Sequence, residues 1–157
     1  PPVGAIQSAA NERDLASVRE LFLEYASWLG FDLGFQGFDE ELKRLPGEYA
    51  PPDGRLYIVE YHGRTAGCIA LKRIGPDACE MKRLFVRNEF RGHKIGRLLA
   101  EKIITEAREI GYHRMALDTI EDKMKSAVAL YRSLGFVPCQ PYYHNPIPGA
   151  LYMELAL

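Results

Sequence analysis

Three β-rich runs follow one another in the middle of the chain before any long helix intervenes. Two of them, residues 55–61 and 65–73, flank a short turn containing His-Gly, which is the pattern of a β-hairpin. A second turn at residues 75–77 leads into the third run, residues 79–86. Because such short turns join antiparallel strands, this segment predicts a sheet in which antiparallel pairing dominates.

Helical periodicity surrounds these runs. Apolar residues recur at helical spacing most regularly over residues 95–110, and Gly111 ends that pattern. Asp39 is the predicted N-cap of a short helix, and Gly135 takes the position at which a left-handed C-cap is expected. The predicted helices are residues 11–29, 39–45, 95–110 and 123–134.

The remaining strands complete a single predicted domain over residues 1–157. They are predicted at residues 3–7, 114–118, 136–139 and 151–155. The order is therefore β-α-α-β-β-β-α-β-α-β-β. Since strands are joined both by hairpins and by helical crossovers, we expect an α/β (α+β) fold. Its centre is a mixed, mostly antiparallel sheet of six to seven strands with about four helices.

The charge balance and cysteine content exclude several classes of function. The 20 basic and 21 acidic residues give a net charge of −1, which does not favour nucleic-acid binding. No apolar run reaches membrane-spanning length, and the first residues do not resemble a secretory signal. The three cysteines have no paired spacing, so we expect neither disulfides nor a metal site. A cytoplasmic location follows as an expectation.

Basic residues and glycines cluster at the start of the predicted helix 95–110, in the stretch RNEFRGHKIGR. A helix N-terminus has free backbone N–H groups and a partial positive charge, and both favour phosphate. The spacing of Gly92 and Gly96 fits neither the dinucleotide motif nor the P-loop. From this stretch alone, a phosphate site and an ordinary basic loop both remain open.

The segment Arg91-Gly92-His93-Lys94-Ile95-Gly96 resembles the pyrophosphate-binding motif of the GCN5-related N-acetyltransferase (GNAT) superfamily, with Lys94 where glycine is usual. The resemblance implies acetyl-CoA as acyl donor and no metal. In this motif, backbone N–H groups form a cradle for the pyrophosphate. The N–H of Lys94 belongs to this cradle if the residue adopts an ordinary helical φ. The implied cofactor-binding residues are Leu84, Phe85, Val86, Arg91, Gly92, His93, Lys94, Ile95, Gly96, Arg97 and Thr119.

A second motif follows at the expected distance. The stretch MKSAVALYRSLGF, residues 124–136, resembles the family's second conserved segment, with Met124 where asparagine is common. From spacing alone, Tyr131 is better explained as a core aromatic residue. The resemblance implies instead that Tyr131 protonates the departing thiolate, a role suited to a phenol with a reference pKa of about 10.

Simple alternation along residues 79–86 places Glu80, Lys82, Leu84 and Val86 on one side of the strand, with Met81, Arg83 and Phe85 on the other. The resemblance implies that this strand splays from its neighbour and binds the pantetheine arm through its backbone. It also implies that the Val86 N–H stabilises an oxyanion. Glu80 is either the general base, reached through water, or the partner of Lys82 or Arg83 in an ion pair.

The resemblance places the acceptor between the first helices, the splayed strands and the proline-rich loop at residues 140–149, here called the late loop. Candidate contacts are Trp28, Phe35, Tyr143 and Asn145, for which plain loop packing is the alternative. The implied activity is acetyl transfer to an amine of a small molecule or peptide in a ternary complex. A non-catalytic CoA-binding regulatory domain, or another acyl donor, are the alternatives, and a homodimer stays open.

Overall fold

A seven-stranded mixed sheet runs through the computed structural model, which describes residues 4–157. The strands are β1 (Ile6–Ser8), β2 (Arg55–Tyr61), β3 (Arg64–Arg73), β4 (Ala78–Val86), β5 (Arg114–Ile120), β6 (Val137–Pro138) and β7 (Ala150–Ala156). They lie in the order β1-β2-β3-β4-β5-β7-β6, and only β4 and β5 pair in parallel. The predicted α/β (α+β) fold with a mixed, mostly antiparallel sheet is therefore confirmed.

Four α-helices accompany the sheet in the described residues, and their order along the chain agrees with the prediction. They are α1 (Glu12–Leu29), α2 (Phe38–Arg44), α3 (Ile95–Ile110) and α4 (Lys125–Ser133). The Asn11 side chain caps α1 by accepting a hydrogen bond from the Asp14 N–H at 2.8 Å. The predicted N-cap role of Asp39 is wrong, because α2 begins one residue earlier, after Gly37 at φ 68°. The first strand lies later than predicted, and residue 3 is outside the described residues.

The two faces of the sheet carry separate apolar cores. On one face, α3 buries Leu99 and Ile103 completely against strand residues such as Met115. On the other face, α1 buries Leu21 and Phe22 over the opposite sides of the same strands. The apolar face of α3 thus packs on the sheet, since each large apolar side chain removed from water stabilises the fold by about 1.5–3 kcal/mol.

A β-bulge interrupts β4. Phe85 pairs with Cys68 and Lys82 with Ala70, so two residues of β4, Arg83 and Leu84, oppose one residue of β3. Arg83 has a φ of 59° at this point. A bulge inverts the alternation beyond it.

The alternation predicted for this strand is therefore wrong. Glu80 and Lys82 face the side of α1 and α2, whereas Leu84 and Val86 pack with Met81 on the side of α3. The bulge also turns the Arg83 side chain towards α2, where it contacts Glu41.

The parallel strands β4 and β5 separate soon after they begin. Their pairing covers only residues 78–80 of β4 with residues 114–116 of β5. Beyond these residues the facing edges of the two strands are open, as the resemblance implied. Within residues 4–157, no helix has both the length and the apolar character to cross a bilayer, and no cluster of three acidic, histidine or cysteine side chains could hold a metal ion.

Candidate active site

A groove of about 480 Å³ opens where β4 and β5 have separated. We call it the long groove. Its walls are the end of β4, the loop and first turn of α3, and the segment that enters α4. Eight of the predicted cofactor-binding residues line it: Leu84, Phe85, Val86, Arg91, Gly92, Lys94, Ile95 and Gly96.

The first turn of α3 presents free donors to this groove. The first backbone hydrogen bond of the helix joins the Leu98 N–H to the Lys94 carbonyl at 3.1 Å. The N–H groups of Ile95, Gly96 and Arg97 therefore have no acceptor within the helix. A Cβ atom on Gly96 would lie 3.8 Å from the Leu130 side chain, on the floor of the groove. Because Gly96 has no side chain, the free N–H groups at the start of α3 are left uncovered on the side of the groove.

Lys94 adopts a conformation that its sequence position did not suggest. It is the N-cap of α3 with φ 61° and ψ 21°, in the left-handed region, and its side chain is exposed. The condition of an ordinary helical φ, under which the Lys94 N–H was to serve the pyrophosphate cradle, is therefore not met. The left-handed region costs a residue with a Cβ about 1–2 kcal/mol, which is a physical reason for glycine at such a position.

Three of the predicted cofactor-binding residues lie outside the long groove. His93 stacks on Tyr61 with ring centroids 4.7 Å apart. The Arg97 side chain donates to Ser133 Oγ at 2.9 Å. Thr119 is buried, and its hydroxyl contacts Met124 Sδ at 3.0 Å.

Trp28 also lies apart from the other predicted acceptor contacts. It lines the long groove, with the Arg91 guanidinium 5.2 Å and the Lys123 ammonium 5.0 Å from its ring centroid. These distances are typical of cation–π contacts. Trp28 therefore belongs with the mouth of the long groove and not with Phe35 and Tyr143.

The backbone of β4 has an open edge at its end. The Arg87 N–H donates to the Ala66 carbonyl on β3 at 2.8 Å. Because successive N–H groups of a strand point to opposite edges, the Val86 N–H points away from β3 and towards the gap beside β5. Arg91 Nε donates to the Val86 carbonyl at 3.2 Å, which holds the cradle loop against this edge.

Tyr131 lies at the inner end of the site, on α4. With Lys82 and Asp118 it lines a cavity of about 40 Å³ between β4 and β5, which we call the inner cavity. Burial raises the pKa of Tyr131 well above 10, and nearby Tyr25 and Asp118 raise it further. The phenol is therefore protonated at neutral pH. Among the described residues, its hydroxyl makes no hydrogen bond.

Asp118 is a site residue to which the sequence analysis assigned no role. Its Oδ2 accepts hydrogen bonds from the Tyr143 hydroxyl and from Asn145 Nδ2, the latter at 2.8 Å. The available signal was its position, since a carboxylate directly follows the buried residues Met115–Leu117 of β5. Because β4 has already diverged there, the carboxylate reaches the inner cavity.

Glu80 lies on the other side of Lys82, in an adjoining groove of about 410 Å³ that we call the outer groove. Its carboxylate is buried and accepts a hydrogen bond from the Tyr142 hydroxyl. Lys82 Nζ is 3.9 Å away. The proposed pairing with Arg83 is wrong, because the bulge directs Arg83 to Glu41, 2.8 Å away.

Phe35, Tyr143 and Asn145 come together beside Asp118. The rings of Phe35 and Tyr143 stack with centroids 6.5 Å apart and an interplanar angle of 15°. Asn145 Oδ1 also accepts from the Ile147 N–H at 2.9 Å, so the residue shapes its own turn while holding Asp118. Phe35 and Asn145 line the inner cavity, and Phe35 and Tyr143 line the outer groove.

Comparisons with known proteins agree with this architecture. The Acetyltransferase (GNAT) family model matches residues 15–136. An uncharacterized N-acetyltransferase of Schizosaccharomyces pombe is 43% identical over 155 residues, which cover 98% of this chain and 94% of the relative.

Two solved structures share the fold at 22% identity. An acetyltransferase from Streptococcus agalactiae has a TM-score of 0.80 over 98% of both chains. A GNAT family acetyltransferase from Elizabethkingia anophelis, solved with acetyl-CoA bound, has a TM-score of 0.58 over 72% of this chain and 82% of that one. From the matched family model and the fungal relative, this chain belongs to the GNAT family of acetyltransferases.

Proposed function

We propose that this protein transfers the acetyl group of acetyl-CoA to an amine of a small molecule or peptide, by direct attack in a ternary complex. The observation that carries the proposal is the continuity of the site. The long groove runs from the donors of α3 along the open edge of β4, and Tyr131 lies beyond it at the junction with β5. We further propose a cytoplasmic location, which three free cysteines support.

The residues of the long groove suit the parts of acetyl-CoA. The N-terminus of α3 offers unpaired N–H groups and a positive dipole end to a pyrophosphate, with Arg91 and Lys94 adding charge beside it. No atom lies within 4 Å of where a Gly92 Cβ would be, so the loop leaves room there. The open edge of β4 supplies N–H and C=O groups to an amide-bearing arm. The acetyl-CoA bound to the Elizabethkingia anophelis neighbour supports this choice of donor.

We propose that Tyr131 protonates the sulfur and that Asp118 receives a proton from the amine. The C–N bond forms as the C–S bond breaks. Tyr131 gives its proton to the sulfur and regains one from the new amide nitrogen, while Asp118 passes its proton to solvent. Asp118 takes precedence over Glu80 because it lines the same cavity as Tyr131, whereas Glu80 lies in the outer groove and needs an intervening water. The Val86 N–H is the proposed oxyanion donor.

A comparison of turnover rates separates the two carboxylates. We expect Asp118→Asn to lower kcat at pH 7 by about 10²-fold or more, since general-base catalysis contributes about 10²–10⁴-fold. Glu80→Gln should lower kcat far less, because its carboxylate is held by Tyr142 outside the inner cavity. A loss of about 10²-fold in Glu80→Gln alone would return the base role to Glu80.

The cradle is tested by Lys94→Gly. Glycine tolerates the left-handed conformation of residue 94, so we expect the free energy of unfolding to rise by about 0.5–1 kcal/mol. Acetyl-CoA binding persists, because the donors belong to the backbone. Urea unfolding and calorimetry with acetyl-CoA measure the two effects. Complete loss of binding would contradict a cradle built from backbone N–H groups.

Gly96→Ala is the matched variant with the opposite outcome. Its methyl group meets Leu130 and Val86 at ordinary contact distances of 3.8 and 3.9 Å, so the fold tolerates it. The same methyl group occupies the floor of the long groove. We expect the Kd for acetyl-CoA to rise about tenfold or more, since lost hydrogen bonds to a charged group cost about 1.5–3 kcal/mol.

The activity itself is tested in two steps. Calorimetry with acetyl-CoA reports binding, and a free-thiol assay against a broad panel of amines reports transfer. Release of CoA that depends on an amine supports the proposal. Binding without thiol release across the panel favours the non-catalytic, CoA-binding alternative, and faster release from a longer acyl-CoA identifies another donor.

A further inference from the structure

Lys82 is a buried cation to which the proposed chemistry gives no role. It lies on β4 beside the bulge, and its side chain is only 8% exposed. Its nearest polar partners are Gln36 Oε1 at 3.4 Å and Glu80 Oε1 at 3.9 Å. An ammonium group has three donors, and burying it without strong partners is costly. The hydrogen-bonding capacity of Lys82 is therefore largely unused.

The other basic side chains around the outer groove and the bulge each lie closer to a carboxylate than Lys82 does. Arg83 forms two hydrogen bonds with Glu41 at 2.8 and 2.9 Å. Lys72 lies 3.3 Å from Glu48, and Arg114 lies 3.3 Å from Glu154.

Glu80, the carboxylate nearest to Lys82, is itself engaged by the Tyr142 hydroxyl. Burial and the charges of Arg83 and Lys72 lower the pKa of Lys82, while the charges of Glu80 and Asp118 oppose the shift. Lys82 is thus poised to gain from a further anionic partner.

Asp118 is a carboxylate that lacks a close cationic partner, just as Lys82 lacks a close anionic one. Both of its hydrogen bonds come from neutral groups and end on Oδ2. Within residues 4–157, no cation lies within 4.0 Å of its carboxylate, and Oδ1 accepts no hydrogen bond. A carboxylate held in this way favours an additional cation, such as an ammonium.

The two groups border the same space. Lys82 and Asp118 both line the inner cavity with Tyr131. Lys82 also lines the outer groove, together with Phe35 and Gln36. A ligand can therefore place one group beside Tyr131 and extend the rest of its structure past Lys82 into the outer groove.

We propose that the acceptor is a free amino acid, with its ammonium group at Asp118 and its carboxylate on Lys82. This inference rests on the proposed acetyl transfer and names its substrate class. The ammonium group lies at the residue that takes its proton, while Lys82 orients it by holding the carboxylate. The side chain of the amino acid occupies the outer groove.

The test compares matched acceptors in the free-thiol assay. Each set contains an amino acid, its amide and the corresponding decarboxylated amine, as in phenylalanine, phenylalaninamide and 2-phenylethylamine. Sets built on leucine, glutamate and arginine sample other side chains. We expect kcat/KM for at least one amino acid to exceed that of its amide by about tenfold to a hundredfold, as a charge-assisted hydrogen bond warrants. Amides and amines that react as fast as the acids would overturn the proposal.

Lys82→Met assigns the preference to this side chain. The variant keeps a side chain of similar length without charge, and we expect the acid-to-amide ratio to fall to about one while amine turnover persists. Lys43→Met removes the same charge from an exposed position on α2 and should leave the ratio unchanged. A preference that survives Lys82→Met would contradict the assignment.

Binding distinguishes failure of this inference from failure of the proposed function. If no acceptor in the panel releases CoA, the transfer proposal itself falls. The amino acids should still raise the Tm of the CoA-saturated wild-type protein, but they should not raise the Tm of Lys82→Met. The amides should raise the Tm of neither protein. If CoA is released but amino acids react no faster than their amides, the amino-acid proposal falls and the acetyl-transfer proposal stands. If no amino acid binds, the amino-acid proposal also falls.

Discussion

Tyr131→Phe should lower kcat by about 10²-fold or more while the Kd for acetyl-CoA changes by less than about twofold. The variant keeps the ring, which packs against Phe136 with centroids 5.7 Å apart, and removes only the hydroxyl. Because burial keeps the phenol protonated well beyond pH 10, any alkaline loss of kcat below that pH arises from another group. Steady-state kinetics and calorimetry with acetyl-CoA measure both quantities.

Tyr112→Phe is the matched control for that experiment. Tyr112 is also buried, and its hydroxyl donates to the Asp53 carbonyl at 2.6 Å, away from the long groove. Its loss should reduce stability by about 1 kcal/mol and leave kcat unchanged. If Tyr131→Phe turned over as fast as this control, Tyr131 would not be the acid, and its burial would be only a packing feature.

Glu41→Gln should reduce the free energy of unfolding by about 3–5 kcal/mol. The change leaves the Arg83 guanidinium, whose side chain is 2% exposed, without a charged partner. Glu40→Gln changes the neighbouring residue of α2, which forms exposed ion pairs with Lys43 and Arg44 at 3.7 and 3.5 Å. Such pairs contribute about 0–1 kcal/mol, so the control should lose very little. Urea unfolding at pH 7 compares the two variants.

The same pair should show its own pH dependence. Burial alone would raise the pKa of Glu41, but the hydrogen bond and charge of Arg83 outweigh it and lower the pKa below 4.5. Its contribution is therefore complete above about pH 4.5 and is lost as the pH falls through the lowered value. The difference between the native protein and Glu41→Gln should shrink in that acid range. A difference as small as that of Glu40→Gln at pH 7 would contradict a buried, stabilising pair.

Local patterns predicted most elements correctly. The bounds of α3 and β2 agree with the prediction, because an amphipathic helix ended by glycine and a run of β-branched and aromatic residues are specified by neighbours in the chain. The N-cap of α2 was misassigned because Gly37 at φ 68° competes with Asp39 for that position. Element type is thus a local property here, whereas an exact boundary depends on the conformation of the preceding loop.

The bulge at Arg83 shows where local reasoning failed. Alternation predicted that Glu80 and Val86 share one side of β4, yet the pairing with β3 inserts an extra residue between them. Such an insertion depends on the partner strand, and it accompanies the contact between Arg83 and Glu41, which lie 42 residues apart in the sequence. The bulge places Lys82 and Leu84 on opposite faces of the sheet. It therefore determines which side chains of β4 face the proposed acceptor.

The sequence by itself determined the order of elements, the basic helix start at Arg91–Gly96 and the family resemblance carried by that motif and by Tyr131. Only the tertiary structure decided that Lys94 is left-handed and that Trp28 belongs with Arg91. It also decided that Asp118 and Lys82 border the cavity of Tyr131. The physical reason is that helix periodicity and glycine spacing act between near neighbours, whereas the site forms where two parallel strands diverge. Side chains distant in sequence meet there only after the sheet is assembled.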